Sequence, residues 1–356
     1  MDDDDILTDI LVRLPPRPST LPRASLVYKR WRRLISDPQF LRRLRTHHRE
    51  APLLGILAYD ISAVRFTPLL DPPDRIPSER LSLPLAPTKE RWNFLECRRG
   101  LALLLNRTRF ELTVCDPVTG SQRRFAVPPG FDTQDARGFI HSAALLCDDS
   151  KLLPSGWLCY GMMMCGMMSL RCSHPSTNLK PPHFHVHHGS NLAREAQHPS
   201  REFSLLVASG NSLCWSLLGY RNNGILEFDL DKQNLAEIDI PVEAKVNSFQ
   251  ILRMEDNRLG LAILTARSMH LWMRKVDSCG VGRWMLQKTI QLDKLLSLPM
   301  ESSGLPILGY DEDGHAIFVW TDIGVFMIQL DSLQFRNLFK TNILNAYHPF
   351  TCFYTA

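Results

Sequence analysis

Ile6, Leu7, Ile10, Leu11 and Leu14 recur at helical spacing and make one apolar stripe near the start of the chain. The aspartates before them suit a helix N-terminus, where backbone N–H groups lack partners. Pro15-Pro16 ends this helix, because a proline pushes the residue before it out of the helical region. Thr20 is placed to cap a second helix, with Pro22 tolerated in its first turn and Leu26, Val27, Trp31, Leu34 and Ile35 along one side. Asp37-Pro38 then opens a third, short helix whose apolar face is Phe40, Leu41 and Leu44. Residues 2–45 are thus a small all-α unit of three helices. So small a bundle hides little surface, and its surplus apolar residues fit the groove of another chain.

Beyond Glu50 the period changes. Apolar runs of strand length appear at Leu53–Tyr59, Leu101–Leu105, Ser204–Ala208, Leu213–Leu218, Gly260–Leu264, Ala316–Trp320 and Val325–Leu330, between proline-rich connectors. Some of these belong to a repeat. A strand at Glu111–Cys115 meets Asp116 and returns to Pro128; a second at Ile225–Phe228 meets Asp229 and returns to Pro241; a third at Val325–Leu330 meets Asp331. Each is a strand, an Asp-led turn and a return strand, the carboxylate being able to accept from backbone N–H groups in the turn. Leu271–Lys275, a turn with Gly280 and Gly282, and Trp284–Ile290 form another hairpin. Repeated hairpins over this length predict a large all-β domain, a β-propeller of about six or seven blades at ~40–50 residues each, or fewer if part of the chain is irregular. A large β-sandwich is the alternative.

Residues 149–200 break the pattern. They hold five of the twelve Met and six of the twelve His residues, and read as an irregular or disordered segment that would leave the propeller incomplete. Cys159, Cys165, Cys172, His174, His183, His185, His187 and His188 lie there, but their spacing lacks the close cysteine pair of structural zinc sites, and no metal is expected.

Charge and chemistry narrow the function. The net charge of +4 arises wholly in residues 1–50, where eleven Lys/Arg face seven Asp/Glu; the remainder holds thirty of each. That distribution suits a solvated helix face or an acidic protein partner rather than nucleic acid. The acidic start does not read as a signal peptide, and no apolar run is long enough to span a membrane. Nine cysteines without framework spacing read as reduced thiols, hence a cytoplasmic or nuclear protein; Cys97, Cys115 and Cys214 sit in apolar runs as core thiols. Trp92, Trp215, Trp272, Trp284 and Trp320 read as blade core. No nucleophile–base motif, phosphate loop or metal-binding helix is present, so neither catalysis nor a cofactor is expected.

The run from Asp5 to Pro16, followed by Leu26-Val27-Tyr28-Lys29-Arg30-Trp31 and Asp37-Pro38-Gln39-Phe40, resembles an F-box. Trp92–Asn106, Ile225–Ala236, Ile307–Asp313 and Val319–Leu330 resemble the F-box-associated β-propeller of a large plant family abundant in grasses. The resemblance implies an F-box at 2–45, a first part of the propeller at 52–148 and a second at 201–356. It stops near Cys147 and resumes near Phe203, as a shifted reading frame or a retained intron would produce. It further implies a substrate-recognition subunit of a Skp–cullin–F-box ubiquitin ligase, which binds a Skp-type adaptor, through it a cullin, and an unknown protein target. By position Leu14, Pro15, Leu26, Val27 and Trp31 would face the adaptor or brace that surface, with Ile6, Leu7, Ile10, Leu11, Leu34 and Ile35 completing the set. Two departures stand out: Tyr28 occupies a position where members often carry cysteine, and aspartates replace the usual Leu-Pro at the start. A standalone ligand-binding propeller with a vestigial F-box is the other reading.

Overall fold

The computed structural model describes residues 3–48, 50–60, 63–81, 83, 90–126, 140–147, 156–163, 166–173, 183–188, 205–208, 212–217, 223–232, 234–245, 247–299, 305–340 and 346–353. Its helical unit has four segments: α1 (Asp3–Val12), α2 (Thr20–Val27), α3 (Lys29–Ile35) and α4 (Pro38–His48). The second of the three predicted helices is therefore two. Tyr28 is extended (φ −146°, ψ 145°) between them and breaks the stripe read as one face. Thr20 begins α2 but does not cap it; Ser19 precedes it and makes no side-chain cap. Asp37 does cap α4, accepting from the Gln39 N–H at 2.8 Å. Leu11, Val12, Leu21, Ala24, Ile35, Phe40 and Leu44 form the buried core, with Leu7, Leu14, Trp31, Leu34, Leu41 and Phe353 packed around it.

The rest is all-β, and the propeller reading holds against the sandwich. Five four-stranded sheets follow one another in sequence. The first is β3–β6 (Trp92–Arg98, Leu101–Asn106, Glu111–Cys115, Gln122–Ala126). Before it, β1 (Leu53–Asp60) and β2 (Ala63–Pro68) pair with each other. The second blade is β7–β10 (Ile140–Cys147, Gly156–Met163, Gly166–Ser173, His183–His188), and the third β11–β14 (Leu205–Ala208, Ser212–Leu217, Gly224–Asp229, Asn234–Ile238). The fourth is β15–β18 (Ser248–Arg253, Leu259–Leu264, Ser268–Val276, Gly282–Gln291), followed by a short helix α5 (Leu292–Leu296). The fifth is β19–β22 (Ile307–Asp311, Ala316–Thr321, Gly324–Gln329, Phe335–Phe339). The last strand, β23 (Tyr347–Thr351), joins β1 and β2 in a three-stranded sheet, with Ile56 opposite Pro349 and Ala58 opposite Tyr347. The first and last strands of the domain thus close a ring of six sheets. Neighbouring sheets share apolar cores: Leu252, Leu271 and Ile290 of the fourth blade meet Ile317, Phe326 and Ile328 of the fifth.

Residues 149–200 differ from expectation. Three strands lie in this stretch, β8 to β10, and they complete a four-stranded sheet with β7. Ladder hydrogen bonds are made by the backbone, so runs such as Trp157–Tyr160 can pair as strands. The methionine and histidine content that marks this stretch as irregular does not oppose backbone pairing. The side chains of the zinc candidates lie outside what is described.

The three repeat copies fall on β5–β6, β13–β14 and β21–β22, the third and fourth strands of their blades, as does the hairpin β17–β18. The Asp-led turn is real in two of them. Asp116 Oδ1 accepts from the N–H of Val118 (2.9 Å) and Thr119 (3.3 Å), and Asp229 Oδ1 from Asp231 and Lys232 (2.9 Å each). Asp331 instead lies 3.6 Å from the His315 imidazole, and in that turn Leu333 takes a left-handed φ of 57°.

Candidate adaptor-binding surface and axial cavity

The helical unit presents two apolar patches. Leu26, Val27 and Tyr28 are consecutive and are 84%, 57% and 69% exposed, because the break at Tyr28 turns them out of the core. Ile6 (46%) and Ile10 (55%) lie one turn apart on α1, about 100° from the inward Leu7 and Leu11. Pro15 is also exposed, whereas Leu7, Leu14, Trp31 and Leu34 are half-buried against the core. Leu11 and Ile35 are buried outright, so they hold the helices together and offer nothing to a partner. The helical stripe groups Leu11 and Ile35 with the outward residues because apolar spacing alone does not separate inward from outward members. Tyr28 extends this exposed patch beyond Leu26 and Val27.

Charges fix α1 over its neighbours. Arg30 Nε donates to Asp4 Oδ1 at 2.5 Å, Arg33 reaches the other Asp4 oxygen at 3.4 Å, and Arg43 pairs with Asp9. Part of the basic run is therefore matched by the acidic start of the chain. The His48 ring lies 2.8 Å from the Val12 carbonyl and closes α4 against the end of α1.

A junction that sequence reasoning missed ties this unit to the ring. Ser19 donates from both Oγ (2.6 Å) and N–H (3.1 Å) to Asp74 Oδ1, and these bonds hold the Asp74 carboxyl below its usual range. Phe353, two residues past β23, packs against the helical core. Neither contact has a local signal, since both partners of each are far apart in sequence.

Among the described residues, inner strands β3, β15, β19 and β23, with Ser216 of β12, line a cavity of about 210 Å³ on the propeller axis. Glu312, just past β19, accepts from Arg98 at 2.6 Å and from Arg253 at 3.0 Å, so one carboxylate joins the last residues of β3 and β15 across the axis. Glu96 Oε2 accepts from the Leu145 N–H at 2.5 Å, tying β3 to β7, while Oε1 lies 4.0 Å from Arg98. Burial raises the Glu96 carboxyl to about 7, against the pull of Arg98. Asp311 is likewise raised to about 7 by burial and by the neighbouring Asp313. Burial lowers the His348 imidazole to about 4, and its ring lies tilted on Phe94 with centroids 4.5 Å apart. A charged residue inside the apolar strand Trp92–Arg98 was the one legible hint of this group.

The cysteines expected in the core are there: Cys115 and Cys214 are buried, Cys97 is half-buried, and burial raises all three thiols. Among the expected core tryptophans, Trp92 and Trp215 are buried, while Trp272, Trp284 and Trp320 are partly so. Trp284 donates to the Asp239 carbonyl at 2.6 Å; the indole N–H groups of the other four have no partner among the described residues. Among the described residues no group of three metal-ligating side chains converges, and no helix is long and apolar enough to cross a membrane.

Comparison with known proteins accords with this architecture. Residues 3–43 match the F-box domain family, and residues 93–355 match the family described as F-box protein AT5G49610-like, beta-propeller. No curated protein matches the chain. Among solved structures, YCF48 from Cyanidioschyzon merolae is 9% identical over 81% of this chain and 87% of its own, with a TM-score of 0.42. The β-propeller domain of Cps50 (Swd1) from Myceliophteria thermophila is 11% identical over 70% and 72%, with a TM-score of 0.37. Neither bears on function. An F-box followed by a β-propeller defines a class whose members are typically non-catalytic adaptors and whose F-box domains generally bind Skp-type adaptors. Within that class, this chain belongs to the F-box protein AT5G49610-like β-propeller family.

Proposed function

We propose that the chain is the target-recognition subunit of a Skp–cullin–F-box ubiquitin ligase, working in the cytoplasm or nucleus. The F-box docks on the Skp-type adaptor, the adaptor on a cullin, and the propeller holds a protein target whose lysines are thereby brought to the ubiquitin-loaded subunits. The chain supplies proximity, not chemistry; the rate gain comes from raising local concentration. The observation that carries this reading is the exposed run Leu26, Val27 and Tyr28 on a helical unit bonded to the ring through Ser19 and Asp74. An exposed apolar patch of this kind is what an interface centre uses. Leu26, Val27, Ile6, Ile10 and Pro15 are the contact set; Leu7, Leu14, Trp31 and Leu34 brace it.

Binding of the full chain to a purified Skp-type adaptor tests the proposal. Retention that Leu26→Asp abolishes, with the melting curve unchanged, supports it. A folded chain that binds no such adaptor would remove the ligase role and leave the propeller as a binding module on its own.

A further inference from the structure

The axial cavity is larger than an apolar cavity of roughly 150 Å³ that accepts benzene, and it is not lined by apolar groups alone. Phe94, Phe249, Ile307 and Leu308 give it an apolar wall. Its charged groups are unequally satisfied. Glu312 has two guanidiniums, Asp313 lies 3.4 Å from the Thr351 hydroxyl, and Asp311 accepts from the N–H groups of Asp313 and Gly314. Glu96 has one backbone N–H on Oε2, and among the described residues the only cation near Oε1 is Arg98 at 4.0 Å, whose shorter bond goes to Glu312. Among the described residues the lining carboxylates Glu96, Asp311, Glu312 and Asp313 outnumber Arg98, Arg99 and Arg253, and His348 is held neutral. An anion would meet Arg98 and Arg253 already engaged by Glu312. A cation would meet the Glu96 carboxylate in a wall that also includes Phe94 and Tyr310.

We propose that the axial cavity binds an organic ammonium group on a short apolar body, with Glu96 taking the charge and Phe94, Phe249 and Ile307 the apolar part. The same chemistry can arrive as a free amine or as a lysine side chain of a bound protein. The site is independent of the adaptor surface, so it stands or falls separately from the ligase role.

Calorimetric titration of the full chain decides it, using phenethylamine, its neutral near-isostere 2-phenylethanol, the anion phenylacetate and a capped lysine tripeptide. The expected result is binding of phenethylamine at least about tenfold tighter than of the alcohol, with none of phenylacetate, and weakening by about tenfold or more between about pH 8 and pH 5.5 as Glu96 takes up its proton. Glu96→Gln, which keeps an oxygen for the Leu145 N–H, brings the amine down to the level of the alcohol. Tight binding of the tripeptide as well assigns the site to a lysine of the target, and its failure assigns it to a free amine. Equal binding of amine and alcohol, an unaltered Glu96→Gln variant, or no heat with any amine or lysine probe overturns the proposal.

Discussion

Ser19 and Asp74 are joined twice, through the hydroxyl at 2.6 Å and the backbone N–H at 3.1 Å, although 55 residues separate them. Ser19 is the residue immediately before α2, and Asp74 lies just beyond the β1–β2 hairpin that helps close the ring. On the other side of the ring closure, β23 delivers Phe353 to the helical core. The F-box is therefore held from both sides of the ring closure, by Asp74 after β2 and by Phe353 after β23.

Removing Phe353 exposes that dependence. Phe353→Ala should destabilise the helical unit by about 1–2 kcal/mol, less than a fully buried phenylalanine because the ring is half-buried. Hydrogen exchange should quicken in α4 while protection in β16 and β20 stays unchanged. Equal loss in both regions would show that the ring itself depends on Phe353.

Within the F-box, burial separates support from contact. Leu11→Ala should cost about 2–4 kcal/mol, since it empties a site sealed by neighbouring helices. Leu26→Ala should stay within about 0.5 kcal/mol, because the side chain is exposed. Thermal melts of the two variants check this directly.

Gly309 is a third test. It lies on β19 where that strand passes β23, and a Cβ there would strike the Tyr347 carbonyl. The obstacle is backbone within the ring of inner strands and cannot rotate away. Gly309→Val should cost about 1–3 kcal/mol by overpacking and lower the melting temperature of the propeller.

Much of this was legible because it is local. The stripe of Leu7, Leu11 and Leu14, the Asp37 cap and the Asp116 and Asp229 turns depend on spacings of a few residues, and all occur as the residue pattern implies. The break at Tyr28 was not legible, because nothing in Leu26–Trp31 forbids a continuous helix. The strands in residues 156–188 were hidden by unusual composition, although pairing needs only backbone. The axial group of Glu96, Arg98, Arg253 and Glu312 draws one or two residues from each of three blades, so no window of sequence contains it.

That group also governs how stability follows pH. Glu96 and Asp311 are raised to about 7 by burial, so the folded chain holds their protons more tightly than the unfolded chain does. Their contribution is fully present below the ordinary carboxyl range and is lost as pH rises through 7. His348 works oppositely: lowered to about 4, it contributes stability above the ordinary imidazole range and loses it as pH falls toward 4. Across the mildly acidic window the two carboxyls outweigh the one imidazole, and stability should rise as pH falls from about 8 to about 5. Glu96→Gln removes one of the two carboxyls while keeping an acceptor for the Leu145 N–H, and Arg98 retains its closer bond to Glu312. The variant should be more stable than the parent by about 1–3 kcal/mol at pH 8 and nearly equal to it at pH 5, where Glu96 is already neutral. Urea unfolding at the two pH values measures both differences. A Glu96→Gln variant that is less stable than the parent at pH 8 would show that the carboxylate's attraction to Arg98 exceeds the cost of burying it.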